Sequence, residues 1–212
     1  MNTKVLKKKL LSEVGERLVA WGYNPIAKQQ AFCRPIENGR VCFHLAFIDH
    51  SNDFDVTADV AVRFDHLEDM VNSCNDLLTK KEKQNTFTLG VELGNLSSGI
   101  QLRWKVESEE DLHEVTPSII GTYKTHGEPY LQKFSNMEEA YLLLAGDDRN
   151  SRLHAPFHSS RAVRAVGLAK ILNKPEIEEL IERKKLFLKE KNDFGLQDYL
   201  NFIRFIIRQP QN

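Results

Sequence analysis

The sequence predicts an α+β fold: a mostly antiparallel β-meander of about five strands, a packed helix layer and a helical C-terminal extension. Three observations carry this. From Phe54 to Phe64 a large apolar residue or alanine recurs at every second position, with Asp55, Thr57, Asp59 and Arg63 between them, as in a strand with one face in a core. Asn38-Gly39 lies between two β-like runs, the strongest short hairpin signal. After Lys105 the apolar spacing becomes helical and stays so. The division that follows is an α+β domain over 1–146 and a helical extension over 147–212, packed on the first part.

Leu6, Leu10, Leu11, Val14, Leu18 and Trp21 recur at helical spacing, so a first helix runs from about Thr3 to Trp21 and ends at Gly22. Lys28 to Arg34 reads as the first strand and Val41 to Ile48, apolar at nearly every position, as a strand covered on both faces. The alternating strand Phe54–Phe64 comes third. Asp65 can cap a helix carrying Leu67, Met70, Val71, Cys74, Leu77 and Leu78. Lys80 to Asn85 reads as a solvated connection. Phe87 to Leu93 and Leu102 to Val106 alternate again around a turn at Asn95–Gly99.

Ser108 is a cap for a helix reaching His126, with Pro117 as a kink or a delayed start, and Gly127-Glu128-Pro129 breaks it. Ser135 with Glu138 forms a capping box for a helix to Gly146. Asp147 to Ser159 reads as a loop, and Ser160 as the cap of a helix to Leu172. Asn173 can cap another that bears Ile177, Leu180, Ile181, Lys184, Leu186 and Leu188. Gly195 precedes a last helix whose Phe202, Ile203, Phe205, Ile206 and Ile207 suit either a core or a dimer contact.

The 212 residues are 41% hydrophobic and 28% charged, the composition of an ordinary globular domain with enough apolar material for a sizeable core. No apolar run reaches the ~20 residues that a membrane span requires, and the Lys-rich N-terminus reads as an amphipathic helix, not a signal peptide. Cys33, Cys42 and Cys74 cannot all pair within one chain; without an export signal they read as reduced thiols of a cytoplasmic protein. A formal net charge of −1 hides an acidic block, Glu107 to Asp148, followed at once by a carboxylate-free basic stretch, Arg149 to Pro175. The isoelectric point near 6.7 speaks against a dedicated nucleic-acid binder.

The order of helix, meander, Trp-bearing final strand and acidic helix start leads into Thr125-His126-Gly127-Glu128-Pro129-Tyr130-Leu131-Gln132-Lys133-Phe134-Ser135-Asn136-Met137-Glu138-Glu139. Over roughly Met1 to Gly146 this resembles the bacterial proteins grouped as domain of unknown function 4304. In that family a helix ends in a Gly-x-Pro-type turn, followed by an aromatic-Leu pair and a Ser/Asp-capped helix. The family has no established activity, so the resemblance transfers no catalytic residue. What it implies is a protein-binding role of the toxin-immunity type.

Several residue groups could carry chemistry. A two-residue turn at Asn38-Gly39 sets Arg40 opposite Glu37, Cys42 opposite Pro35 and His44 opposite Cys33. A Cys–His pair of that kind could yield an activated thiolate, although cysteines also fill a sheet face as small hydrophobes. His154 and His158 have the four-residue spacing of helical metal ligands, but Pro156 lies between them. Asp55, Asp59 and Arg63 line the polar side of one strand and Arg103 and Lys105 that of another, either as a polar ligand site or as cross-strand ion pairs. Arg152, His158, Ser160, Arg161 and Arg164 form the best anion-binding candidate, at the start of a helix whose free N–H groups attract anions; alternatively the arginines pair with the acidic block just upstream. No catalytic constellation, metal site or cofactor motif is found. The expectation is a non-enzymatic cytoplasmic protein-binding domain, with a binder or enzyme for a phosphorylated small molecule at the Arg/His cluster of 149–164, or a weak nucleic-acid binder, as alternatives.

Overall fold

Helix α1 (Thr3–Val19) forms where the spacing places it, capped by the Asn2 side chain on the Lys4 N–H. In this computed structural model, which describes residues 2–75 and 77–208, it buries Leu6, Leu10, Val14 and Leu18 completely. The last four residues of the extension read at 147–212 lie outside the described residues. Gly22 adopts φ 83°, and Tyr23 N–H returns to the Leu18 carbonyl. That left-handed residue stops the helix and starts the sheet.

The fold class is α+β. Strands β1 (Asn24–Ile26), β2 (Ala31–Ile36), β3 (Gly39–Asp49), β4 (Phe54–Phe64) and β5 (Leu89–Glu92) neighbour one another in that order, and β6 (Trp104–Val106) also pairs with β4. The β1–β2, β2–β3 and β4–β6 pairs are antiparallel. Phe54, Val56, Ala58, Val60, Val62 and Phe64 are all fully buried, as the alternation requires. The single first strand read at 28–34 is instead two pieces. Pro25 has no N–H to give and sits in the short edge strand β1, and Gln30 at φ 53° breaks the run before β2.

The hairpin turns at Glu37-Asn38, one residue earlier than expected, because Ile36 pairs with Gly39. Each partner therefore shifts by two, which preserves the faces but sets Cys33 opposite Cys42 and Ala31 opposite His44. Cys33 and Cys42 are joined in a disulfide and Cys74 is free. This corrects both the reading of three reduced thiols and the Cys33–His44 pairing.

Helix α2 (Asp65–Ser73) is shorter than expected, and the connection at 80–85 contains α3 (Lys80–Gln84), closed by a Thr79–Glu82 capping box. In place of the turn at 95–99 stands α4 (Leu93–Ser97), capped by Glu92, whose carboxylate accepts the Gly94 and Asn95 N–H groups. Then come α5 (Leu112–Thr122), a π turn (Tyr123–Gly127) and α6 (Glu128–Phe134) without a break. Helix α7 (Met137–Ala145) is capped by Asn136 rather than Ser135. The loop read at 147–159 holds α8 (Arg149–His154), capped by Asp148. Helix α9 (His158–Ile171) begins before Ser160, which is therefore not its cap. Asn173 takes φ 52° between helices, and α10 (Ile177–Glu190) and α11 (Leu196–Arg208) are the last elements among the described residues.

The chain divides into two compact units, residues 1–62 with 90–133 and residues 63–89 with 134–212. The first holds α1 and α5 packed together, and most of the sheet. In the second, α9 is central: α2, α7, α10 and α11 all pack on it, and every residue from Arg161 to Ala169 is buried. A helix covered all round needs small residues where neighbours approach. At Gly167 any Cβ would lie 2.5 Å from Leu67 Cδ1.

Candidate functional site

Tyr123 and Glu128 are five residues apart. On an α-helix that spacing puts side chains about 140° apart around the axis. The π turn changes this. Its wider ring closes from the Glu128 N–H to the Tyr123 carbonyl and carries residue i+5 almost over residue i, so the Tyr123 hydroxyl donates to Glu128 Oε2. Two residues explain the wide turn. Pro129, just after it, cannot donate to the ladder and would crowd a regular turn. Gly127 leaves room that a Cβ would fill, 2.8 Å from Tyr123 Cδ2 and 3.0 Å from Leu93 Cδ2.

Around this turn a polar and aromatic network closes. Tyr23 Oη lies 2.6 Å from Tyr123 Oη. Because Tyr123 gives its one proton to Glu128, Tyr23 is the donor in that pair. Glu128 Oε1 accepts from Arg34 Nη2 at 2.9 Å, and Arg34 Nη1 reaches the Trp21 carbonyl at 3.4 Å. The Arg34 guanidinium lies over the Tyr23 ring at 4.9 Å. Trp21 stacks on Tyr123 with centroids 5.9 Å apart and planes 15° apart, and Lys124 Nζ stands 4.3 Å from the Trp21 ring. Trp21, Arg34, Tyr123, Lys124 and Glu128 line a half-open cavity of about 460 Å³, within the ordinary range for ligand pockets.

Burial pushes the Tyr123 phenol far above its usual range, and its bonds to Glu128 and Tyr23 push the same way. Burial alone would raise the Glu128 carboxyl, but the Tyr123 hydroxyl and the Arg34 guanidinium outweigh it and hold the group below its ordinary value. At neutral pH the network therefore has a fixed protonation state: neutral phenols, a carboxylate and a guanidinium.

The sequence-derived anion candidates lie elsewhere, in the second unit. Arg161 is fully buried; it donates to the Gly146 carbonyl at 3.2 Å, the Ala155 carbonyl at 2.7 Å and Asp147 Oδ1 at 3.0 Å, and meets His158 Nδ1 at 3.1 Å. Arg164, 9% exposed, makes a two-pronged bond to Glu68 at 2.7 and 2.8 Å and also donates to Ser160. Arg152 is exposed and its Nε bonds the Asp148 carbonyl. Burial, then the neighbouring Arg161, lowers the His158 pKa, and the ring packs edge-on to Phe187. The five residues do not make one open basic patch. Among the described residues no group of three His, Cys, Asp or Glu side chains is arranged to hold a metal ion, and no helix is long and apolar enough to cross a membrane.

The polar side of the sheet carries polar pairs, of which the arginine and lysine ones are ion pairs. His44 meets Asp59 at 3.5 Å, His50 meets Asp55 at 3.3 Å, Arg103 meets Asp55 at 3.7 Å and Lys105 meets Asp53 at 3.2 Å. Arg63 is buried instead; it bonds Asp65, Asp69 and the carbonyls of Lys83 and Thr86.

No family model, curated protein or solved structure matches the chain. The functional reading thus rests on the residues themselves.

Sequence reasoning missed the Trp21 pocket because its walls come from three separate stretches: the turn after α1, β2, and the π turn running on into α6. Only Gly127-Glu128-Pro129 stood out in the sequence, and it read as a break.

Proposed function

We propose that the chain is a non-enzymatic protein-binding domain, cytoplasmic and of the immunity type that the resemblance to the bacterial 4304 group suggests, with the Trp21 pocket as its point of attachment. The supporting observation is the pocket wall. Trp, Tyr and Arg are the residue types that carry most binding energy at interfaces, and here their positions are fixed by mutual bonds before any partner arrives. A general acid or base works best when its pKa lies near the operating pH. Tyr123 and Glu128 are pushed away from neutrality in opposite directions, which favours holding over proton transfer.

Affinity capture from the native host tests the proposal. The 212-residue chain should retain one partner in near-stoichiometric amount, and Trp21→Ala with Lys124→Glu should lose it. Identical recoveries from both proteins would remove the pocket from the proposal, and none from either would count against protein binding itself. Cytoplasmic residence belongs to the same proposal and requires the Cys33–Cys42 pair to persist as a dithiol there, since that compartment keeps most thiols reduced. Trapping thiols in intact cells reads this directly; a fully oxidised pair argues for an oxidising compartment.

A further inference from the structure

We infer that the Trp21 pocket takes a carboxylate attached to a planar apolar group, with Lys124 and Arg34 as the anion's two partners. The inference rests on the binding reading above and specifies what the partner inserts. Three observations carry it.

Charge is the first. The wall holds Arg34 and Lys124 against Glu128. Glu128 is consumed, since its two oxygens take Arg34 and the Tyr123 hydroxyl. Lys124 has no carboxylate partner among the described residues; its ammonium faces the Trp21 ring. Arg34 uses Nη2 on Glu128 and Nη1 on the Trp21 carbonyl, so a guanidinium with five N–H groups still has hydrogens to give. The net charge of one favours a monoanion over a dianionic phosphate.

Shape is the second. Trp21 and Tyr123 form an offset stack, and a flat group can extend such a stack or meet it edge-on. Rigidity is the third. Three hydrogen bonds link Tyr23, Tyr123, Glu128 and Arg34 in a row, and the Arg34 guanidinium over the Tyr23 ring closes the circuit, so little ordering remains to be done when a ligand enters.

Such a carboxylate has two sources: the C-terminal residue of a partner protein that ends in an aromatic side chain, or a free aromatic acid. Trp21 reports on the site. The chain has two tryptophans, and the other, Trp104, is buried and donates to Ser118 Oγ at 2.8 Å. Trp104→Phe therefore leaves Trp21 as the sole indole emitter. Its fluorescence should change saturably with N-acetylphenylalanine and should respond to inorganic phosphate not at all. The corresponding amide should bind about tenfold more weakly or worse, the loss expected for a charge-assisted hydrogen bond. Lys124→Ala, at an exposed position, should weaken the acid by a similar factor and leave the amide unchanged. Benzoate separates the sources: weaker than N-acetylphenylalanine indicates a chain terminus, equal or tighter a free acid. Calorimetry on the unsubstituted chain repeats the comparison without the Trp104 change.

Equal affinity for acid and amide, an unaffected Lys124→Ala protein, or no saturable binding of any acid overturns the inference. A partner still captured after Trp21→Ala with Lys124→Glu leaves the protein-binding reading standing and removes the pocket from it. Acid binding without any captured partner does the reverse.

Discussion

Buried charge decides the behaviour of single residues in the second unit. Glu68 is fully buried; burial would raise its pKa, but the Arg164 charge and bonds outweigh that and lower it. Removing one partner leaves the other charge stranded, so Arg164→Ala should cost ~3–5 kcal/mol in urea unfolding. Glu68→Leu combined with Arg164→Met should cost less than either single change, because no charge is left behind. Since the folded pKa of Glu68 lies below the ordinary 4.5, its contribution is present above 4.5 and is lost as pH falls through the folded value. The acid limb of the stability profile should therefore flatten in Arg164→Ala. Lys184 also has a lowered pKa, but here because burial disfavours its charged form. It is fully buried among the Leu144 and Gly146 carbonyls and Asp147. Burial lowers its pKa from 10.5 to about 8, although Asp147 opposes the fall. Between those values the unfolded chain binds more protons, so stability rises with pH across this window by about 3 kcal/mol. The difference between wild type and Lys184→Met, followed by unfolding from pH 8 upward, should show that slope. The sequence offered Arg161 and Arg164 either as an anion site or as partners of the acidic block just upstream; Arg161 does meet Asp147 of that block, whereas Arg164 pairs with Glu68, outside it. The available hint of burial was composition: Ala162, Ala165, Gly167 and Ala169 are the small residues of a helix crowded on all sides.

At the level of elements, the strands and helices were mostly readable and their ends were not. The alternation over 54–64 fixed β4 to the residue because one face is entirely buried. By contrast, Gly127 and Pro129 each signal a break, and the helix absorbs both by widening. That turn is the element on which the pocket depends. Gly127→Ala should therefore cost ~1–3 kcal/mol through overpacking and alter the near-ultraviolet circular dichroism of Tyr123 and Trp21; an unchanged spectrum and stability would falsify the role assigned to the turn. The hairpin gives a second test. Asn38-Gly39 located it correctly, but the register followed Glu37-Asn38 and brought Cys33 to Cys42. A bridge between residues nine apart removes unfolded-state entropy worth about 2–3 kcal/mol. Thiol titration of the oxidised protein should count Cys74 alone in denaturant, and reduction should lower stability by that amount.

At the scale of the whole molecule, each unit is assembled from two stretches of chain. The boundary read at 146/147 and the change of charge sign at 148/149 both fall inside the second unit. Residues 63–89 and 134–146 carry Leu67, Met70, Leu143 and Leu144, which are buried, and α2 and α7 pack on α9. A fragment of residues 1–146 lacks α9, so hydrogen exchange should find those two stretches unprotected. Protection equal to that of the full chain would instead establish 1–146 as independently stable.

By itself the sequence determined the α+β class, the hairpin, the buried alternating strand and the helical character of everything after Lys105. These rest on periodicity, and periodicity is local. Tertiary structure alone decided that the basic stretch is a core helix, that two cysteines meet, and that Trp21, Arg34 and Glu128 share one pocket. The physical reason is distance along the chain. Arg164 is neutralised by a residue 96 positions away and Arg34 by one 94 positions away, and no local pattern records a partner that remote.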